Sequence, residues 1–148
     1  MEILVKYCKK TAFSLKLYYL CTASKTSTLT NLMATKQQVE DFLKRLKEKI
    51  KVFDIIYRDD RGKNLQTLAT LEITPTYRKQ VILNIEPEDY SEGPIVDTLY
   101  KMGEMWVFGK DVKGHEVYIK ITLGYPNSST ICISFHISEH PMNYPFKN

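Results

Sequence analysis

The chain has 148 residues, of which 43% are hydrophobic and 26% charged, and its formal net charge is +4. This length suffices for one domain with a hydrophobic core, and the composition excludes collagen-like, fully disordered and multi-pass membrane proteins. The charge is uneven: residues 1–63 carry 14 Lys and Arg against 7 Asp and Glu, whereas residues 64–148 carry 7 against 10. A basic first half is typical of polyanion binding, although a solvated lysine-rich helix explains it equally well.

Residues 1–34 fit a globular domain least well. Basic residues precede an apolar stretch at 12–23, as in a secretory signal, but Lys16 interrupts the stretch, which is too short to cross a bilayer. We favour a disordered extension or a misassigned start, with Met33 as the true start. A cleaved signal and an ordered element remain alternatives. Residues 35–148 are predicted to form a single domain.

The domain is expected to begin with helices. Thr35 and Gln38 have capping-box spacing, and apolar residues then recur at steps of three and four, which predicts an amphipathic helix over 36–51. A short strand is expected at 52–57. A charged loop follows at 58–64.

Two further helices are predicted after that loop. Asn64 is expected to cap a short helix at 65–71, and Thr74 before Pro75 is expected to begin another that Pro87 ends. Residues 86–102 are expected to form a loop with one helical turn at 95–100.

Three β-rich runs follow at 105–110, 116–123 and 130–138. Lys113-Gly114 is expected to join the first two as a two-residue turn, and 124–129 to join the second and third. This order predicts an α+β fold, with the N-terminal helices packed on one face of a C-terminal antiparallel β-meander.

Side chains alternate along a strand, so the meander has an apolar face and a polar face. The apolar face is expected to hold Val117, Ile119 and Ile121 from one strand, and the odd-numbered Ile131, Ile133, Phe135 and Ile137 from the next. Turn midpoints set the register, and the expected facing pairs in the last hairpin are Tyr118–His136, Lys120–Ser134 and Thr122–Cys132. In the first hairpin they are Trp106–Ile121, Val107–Lys120, Phe108–Ile119 and Gly109–Tyr118.

The polar face would therefore bring a phenol, an ammonium and an imidazole together, with Gly109 leaving room beside Tyr118. Such a cluster suits acid–base chemistry on a phosphodiester: His136 transfers a proton, Lys120 neutralises developing charge and Tyr118 orients or donates. The alternative is a solvated sheet face with an incidental histidine.

The remaining histidines and the cysteines give weaker signals. His115 is expected to be exposed beside a turn, and His140 to lie either over the polar face near His136 or in an exposed loop. No metal site is predicted, because no third ligand accompanies His136 and His140. Three cysteines cannot all pair, and none has zinc-knuckle spacing, so a reducing compartment is the simpler interpretation.

Four segments together resemble the MqsR-like toxins, which belong to the RelE-like group of bacterial toxin–antitoxin systems. They are Glu88-Asp-Tyr-Ser91, Met105-Trp106, Val117-Tyr-Ile-Lys-Ile121 and Ile131-Cys-Ile-Ser-Phe-His136. The resemblance covers residues 37–138. It implies a RelE-like, cytoplasmic type II toxin that cleaves single-stranded mRNA and is held inactive by a cognate antitoxin protein, with neither cofactor nor membrane partner.

The resemblance also implies four active positions. The strand tyrosine is Tyr118, and His136 occupies the position of a lysine that ends the last strand. Val107 stands where the family has a glutamine, and the family's loop lysine falls at Ser91 or Glu92. One of the four residues is thus retained, and one is replaced by a group capable of acid–base catalysis.

The sequence therefore predicts a metal-independent endoribonuclease with His136, Tyr118 and Lys120 as catalytic residues. The residues expected to bind RNA, by charge or by stacking on an unpaired base, are Arg58, Arg61, Lys63, Tyr90 and Lys110. Two alternatives stay open. One is a non-catalytic protein-binding module, which Val107 and the missing loop lysine favour, and the other is a gyrase-directed toxin of the same fold.

Overall fold

The computed structural model describes residues 33–98, 101 and 103–147, and the expectations for residues 1–32 lie outside them. The helices and strands in this part of the chain are α1 (Lys36–Phe53), β1 (Ile55–Tyr57), α2 (Lys63–Thr70), α3 (Pro75–Leu83), β2 (Tyr90–Val96), β3 (Glu104–Val112), β4 (His115–Thr122) and β5 (Thr130–Ile137). Single 3-10 turns lie at Asp59–Arg61 and Pro87–Asp89. The α+β class is as predicted.

No helix in the described ranges is both long and apolar enough to cross a membrane.

Helix α1 begins with the predicted capping box. Thr35 Oγ1 accepts a hydrogen bond from the Gln38 amide at 3.3 Å, and Gln38 Oε1 accepts one from the Thr35 amide at 2.8 Å. The helix ends two residues later than expected, because Asp54 adopts a left-handed conformation (φ 64°) and its amide still bonds the Ile50 carbonyl. Val52 and Phe53 are therefore helical, and the predicted strand at 52–57 shortens to β1.

Helix α3 begins at Pro75 after the Thr74 cap, as predicted, whereas the cap expected for α2 is wrong. Helix α2 begins at Lys63, so Asn64 lies in its first turn and is buried. Asn64 Nδ2 donates to the Arg58 carbonyl, and Asn64 Oδ1 accepts from the Phe135 amide, both at 2.8 Å. Thr67 Oγ1 accepts from the Ile137 amide at 3.3 Å, so α2 supplies acceptors to the edge of β5 that β1 leaves unpaired.

The loop predicted at 86–102 is instead a 3-10 turn followed by β2, and the helical turn expected at 95–100 is wrong for Ile95 and Val96. Residues 99 and 100 lie outside the described residues. Strand β2 pairs with β3 through two register shifts, and Gly93-Pro94 lies within the second. The pairing of β2 with β3 thus outweighs the local preference of Gly93-Pro94 for a turn.

The five strands form one mixed sheet in the order β1-β5-β4-β3-β2, with β1 parallel to β5 and the other pairs antiparallel. The predicted meander is its centre, and β1 and β2 extend it on either side. Lys113 and Gly114 form the predicted turn, both with positive φ. The four pairs predicted between β3 and β4 are all confirmed.

Between β4 and β5 the register is confirmed for Tyr118–His136 and Lys120–Ser134 but is wrong beyond them. A β-bulge leaves Ile133 without a facing residue, so Cys132 faces Ile121 rather than Thr122. The bulge reverses the alternation: Cys132 is buried, whereas Ile131 and Ile133 are only partly buried.

The core lies between α1 and the inner face of the sheet, as predicted. Phe42 stacks on Trp106 with a centroid separation of 4.7 Å and lies 5.9 Å from the Phe108 ring. Fully buried Ile119 and Phe135 join the same cluster from β4 and β5. The opposite face of the sheet is therefore the one on which a polar site can form.

Candidate functional site

Tyr118 and His136 lie directly opposite each other on the face of the sheet that points away from α1. Their rings stack with centroids 5.1 Å apart and an interplanar angle of 17°. Both side chains are partly buried, so each keeps an accessible edge. The structure thus brings together the two predicted catalytic residues on which the acid–base hypothesis depends.

A hydrogen bond defines the proton arrangement of His136. Its Nδ1 lies 2.9 Å from the Ile137 carbonyl oxygen. A carbonyl can only accept, so this bond assigns the ring proton to Nδ1. In the neutral ring Nε2 then carries the lone pair and is the atom that can accept a proton.

A cavity of about 290 Å³ lies between this face and the C-terminal segment 138–147, which we call the tail. Its volume is close to the lower end of ligand-pocket volumes, roughly 300 Å³. Val107, Tyr118 and His136 line it from the sheet, and Ser91 and Glu92 from β2. The tail contributes Ser138, Glu139, His140, Pro141, Met142 and Asn143.

The positions that the toxin family uses therefore converge in this chain. Ser91 or Glu92, Val107, Tyr118 and His136 come from four strands, and all of them line the same cavity. Three of these positions carry other residues than the family does.

The tail is held on the sheet by Glu116. The Glu116 carbonyl accepts from the Ser138 amide at 2.8 Å. Its carboxylate accepts from the Met142 amide at 3.2 Å and from the Tyr144 hydroxyl at 2.6 Å. Burial, with the neighbouring Glu116 carboxylate, raises the pKa of Tyr144 above its ordinary value, so Tyr144 keeps its proton and remains a donor.

The tail also contacts the sheet at Gly109. A Cβ at this position would overlap the Tyr144 hydroxyl and lie 2.8 Å from the Met142 sulfur. The room predicted beside Tyr118 is thus occupied by the tail, and the cavity lies next to it rather than above Gly109.

The two lysines predicted near the site differ. The Lys120 ammonium lies 6.0 Å from the centroid of the Tyr118 ring, on the same face but not among the residues that line the cavity. Lys110 pairs with Asp89 at 2.6 Å, and both side chains are largely buried. The charge of Lys110 is compensated inside the protein, which argues against its predicted role in phosphate binding.

The predicted role of Tyr90 requires correction. Its side chain is fully buried, and its ring packs on Phe146 at 5.3 Å and edge-on against Trp106 at 6.1 Å. The hydroxyl donates to the Gly93 carbonyl and accepts from the Ala34 amide. No face remains on which a base could stack, so Tyr90 is a core residue.

Two of the basic residues in the predicted loop form ion pairs with acidic residues. Arg58 Nε lies 3.3 Å from Asp60, and Lys63 Nζ lies 2.6 Å from Glu139 of the tail, whereas Arg61 is exposed. The Lys63 ammonium lowers the pKa of the Glu139 carboxyl. A second hollow of about 320 Å³ is lined by Lys63, Glu139 and His136, so Lys63 is the loop residue closest to the candidate site.

Sequence reasoning missed Glu116 and Glu139 as site residues, and left His140 undecided. Glu116 could have been found by alternation, since it lies two residues before Tyr118 on the same face. Glu139 and His140 carry no sequence signal, because they lie beyond the last strand. The described ranges contain no cluster of three or more His, Cys, Asp or Glu suited to a metal ion.

Comparison of the chain with protein-family models, with curated proteins and with solved structures finds no match in any of the three. The resemblance to MqsR-like toxins therefore stays a prediction from the sequence.

Proposed function

We propose that this chain is a metal-independent endoribonuclease that cleaves single-stranded mRNA by acid–base catalysis. The observation that carries the proposal is the convergence of Tyr118, His136 and the two other family-implied positions on one cavity, with His136 Nε2 available as a proton acceptor. We further propose that it acts in the bacterial cytoplasm as the toxin of a type II toxin–antitoxin pair, with an antitoxin protein as its partner.

RNA supplies its own nucleophile, the 2′-hydroxyl, so the protein needs to move protons and stabilise charge. His136 takes the hydroxyl proton on Nε2, and Tyr118, stacked against it, orients the imidazole or donates to a phosphate oxygen. Lys120 on the same face and Lys63 beside the second hollow add positive potential for the phosphorane oxygens.

The test is cleavage of a labelled single-stranded RNA by the purified full chain in the presence of EDTA. We expect products ending in a 2′,3′-cyclic phosphate and a 5′-hydroxyl. His136→Ala is expected to lower kcat/KM by about 10²- to 10⁴-fold, because it removes a general acid–base group. Tyr118→Phe keeps the stacked ring and is expected to lose less.

His115→Ala is the matched control, because His115 is exposed at the β3–β4 turn and does not line the cavity. It should cleave at the parental rate. Equal rates for His136→Ala and the parent, with His115→Ala unchanged, would show that the cavity histidine is not catalytic.

Val107 and the missing loop lysine favour a second function, since an aliphatic residue lines the cavity where the family has a glutamine, and Ser91 or Glu92 where it has the lysine. A non-catalytic binding module or a gyrase-directed toxin would leave RNA intact. Expression of the full chain in growing bacteria distinguishes these functions: degraded transcripts support the nuclease, altered DNA supercoiling the gyrase-directed toxin, and neither change the binding module.

A further inference from the structure

The tail contributes a second histidine to the lining of the cavity. His140 lines the same cavity as His136, although the two belong to different elements, the tail and β5. His115, at the start of β4, lines neither hollow. Two of the three histidines of this chain thus meet at one site.

The backbone that carries His140 is fixed on both sides. Glu116 accepts from the Ser138 amide before it and from the Met142 amide after it, through its carbonyl and its carboxylate respectively. The Ser138 hydroxyl also donates to the His140 carbonyl. Pro141 disfavours a helical conformation of His140, so the histidine belongs to a constrained segment rather than to a free end.

We propose that His140 is the general acid of the reaction and His136 the general base; this rests on the proposed ribonuclease function. His136 Nε2 takes the proton of the 2′-hydroxyl as the 2′-oxygen bonds to phosphorus. The bond from phosphorus to the 5′-oxygen breaks, and His140 donates a proton to that oxygen. The products are a 2′,3′-cyclic phosphate and a 5′-hydroxyl, so no co-reactant is needed.

The division of roles follows from the surroundings of the two rings. His136 donates Nδ1–H to a carbonyl and has a lone pair at Nε2, which suits a base. His140 is exposed in the tail and lines the same cavity, which leaves it as the second imidazole that can supply a proton there. Other titratable groups line the cavity or lie beside it: Tyr118, Glu116 and Lys120 from β4, Glu92 from β2, Glu139 from the tail and Lys63 from α2.

The experiment compares the full chain with His140→Ala and His136→Ala on two substrates. The first is a single-stranded RNA, and the second is the same RNA with a bridging 5′-sulfur at the linkage that the parent cleaves. Sulfur leaves as a thiolate without protonation, so loss of a general acid should not matter for it. We expect His140→Ala to be slowed about 10²-fold or more on RNA and to approach the parental rate on the sulfur substrate. His136→Ala should be slow on both.

The pH profile gives the second readout. Parental kcat/KM should be bell-shaped; His140→Ala should lose the alkaline limb and His136→Ala the acidic limb. Undiminished RNA cleavage by His140→Ala, an equal deficit on both substrates, or exchanged limbs would each overturn the assignment while leaving the ribonuclease intact. A parental chain that cleaves no RNA would overturn both proposals.

Glu116 is a positioning residue in this scheme. Glu116→Ala removes the side-chain anchors of the tail, and we expect it to reproduce the signature of His140→Ala in weaker form, with a larger loss on RNA than on the sulfur substrate. An equal loss on the two substrates would show that Glu116 acts on stability alone.

Discussion

Three tyrosines lie within strands in the described part of the chain, and their roles differ because their surroundings differ. Tyr118 keeps an accessible edge against His136, whereas Tyr90 is fully buried. Tyr57 is mostly buried beneath Arg78, whose guanidinium lies 3.5 Å from the ring centroid and forms a bidentate pair with Asp59. Only the first of these environments suits chemistry.

Two buried groups, the Tyr57 hydroxyl and the Cys132 thiol, lead us to expect that the protein loses stability at alkaline pH. Burial raises the pKa of Tyr57 and that of the Cys132 thiol each to about 12. Both values exceed the ordinary ones, so the unfolded chain loses these protons first. The free energy of unfolding should therefore be highest below about pH 9 and decline as the pH rises from there towards 12.

Tyr57→Phe tests this prediction at one residue. The Tyr57 hydroxyl is buried and has no hydrogen-bond partner among the residues that the structure describes. We therefore expect the free energy of unfolding to change by about 1 kcal/mol or less at neutral pH. The alkaline decline should become shallower. Urea denaturation between about pH 8 and pH 11 measures both, with Tyr125→Phe as the exposed control. Parallel curves for parent and Tyr57→Phe would contradict the argument.

At the scale of elements, the sheet depends on neighbours that are not strands. Strand β1 covers only the first residues of β5, from Thr130 to Cys132. Side chains of α2 pair with the amides farther along β5, and the tail crosses the open face beside Gly109. An edge that would otherwise be free for association is thereby capped.

Asn64→Ala should reveal the contribution of that cap. The substitution leaves the Phe135 amide and the Arg58 carbonyl without their partner, and an unpaired buried polar group costs about 1–3 kcal/mol. Gln66→Ala, exposed on the same helix, should change the free energy of unfolding by less than about 0.5 kcal/mol. The two variants are compared by urea denaturation, and similar values for both would show that the contacts of Asn64 contribute nothing.

At the scale of the whole molecule, the positive charge is less available than the net charge suggests. Lys36, Lys63 and Lys110 each pair with an acidic residue, although exposed pairs of this kind contribute little to stability. RNA binding is therefore expected to rest on a few cations that are exposed or can exchange partners, such as Arg61 and Lys63.

The salt dependence of RNA binding tests this expectation. Arg61→Gln and Lys63→Gln should each reduce the slope of log K against log salt by about 0.7, the value for one phosphate contact on a single strand. Lys44→Gln is the control, because Lys44 is exposed on the outer face of α1. Fluorescence anisotropy at several salt concentrations provides the slopes. Binding insensitive to salt, or equal effects of all three variants, would exclude the loop as the RNA-binding surface.

The parts of this fold that local chemistry controls could be predicted from the residues alone. The capping box at Thr35, the Thr74-Pro75 helix start and the Lys113-Gly114 turn each act within a few residues, so their signals are complete in the sequence. The alternation of side chains along the strands also predicted the β3–β4 register and the Tyr118–His136 pair correctly.

The remaining features could not be predicted in this way, because long-range contacts outweigh local preferences there. The bulge at Ile133 breaks the alternation without a turn signal, and β2 forms because β3 offers it a pairing edge. The local sequence predicts that Asn64 caps a helix, but its side-chain oxygen accepts a hydrogen bond from the Phe135 amide of β5, 71 residues away. His140 reaches the site only because Glu116 folds the tail back over the sheet, a contact between residues that no local pattern connects.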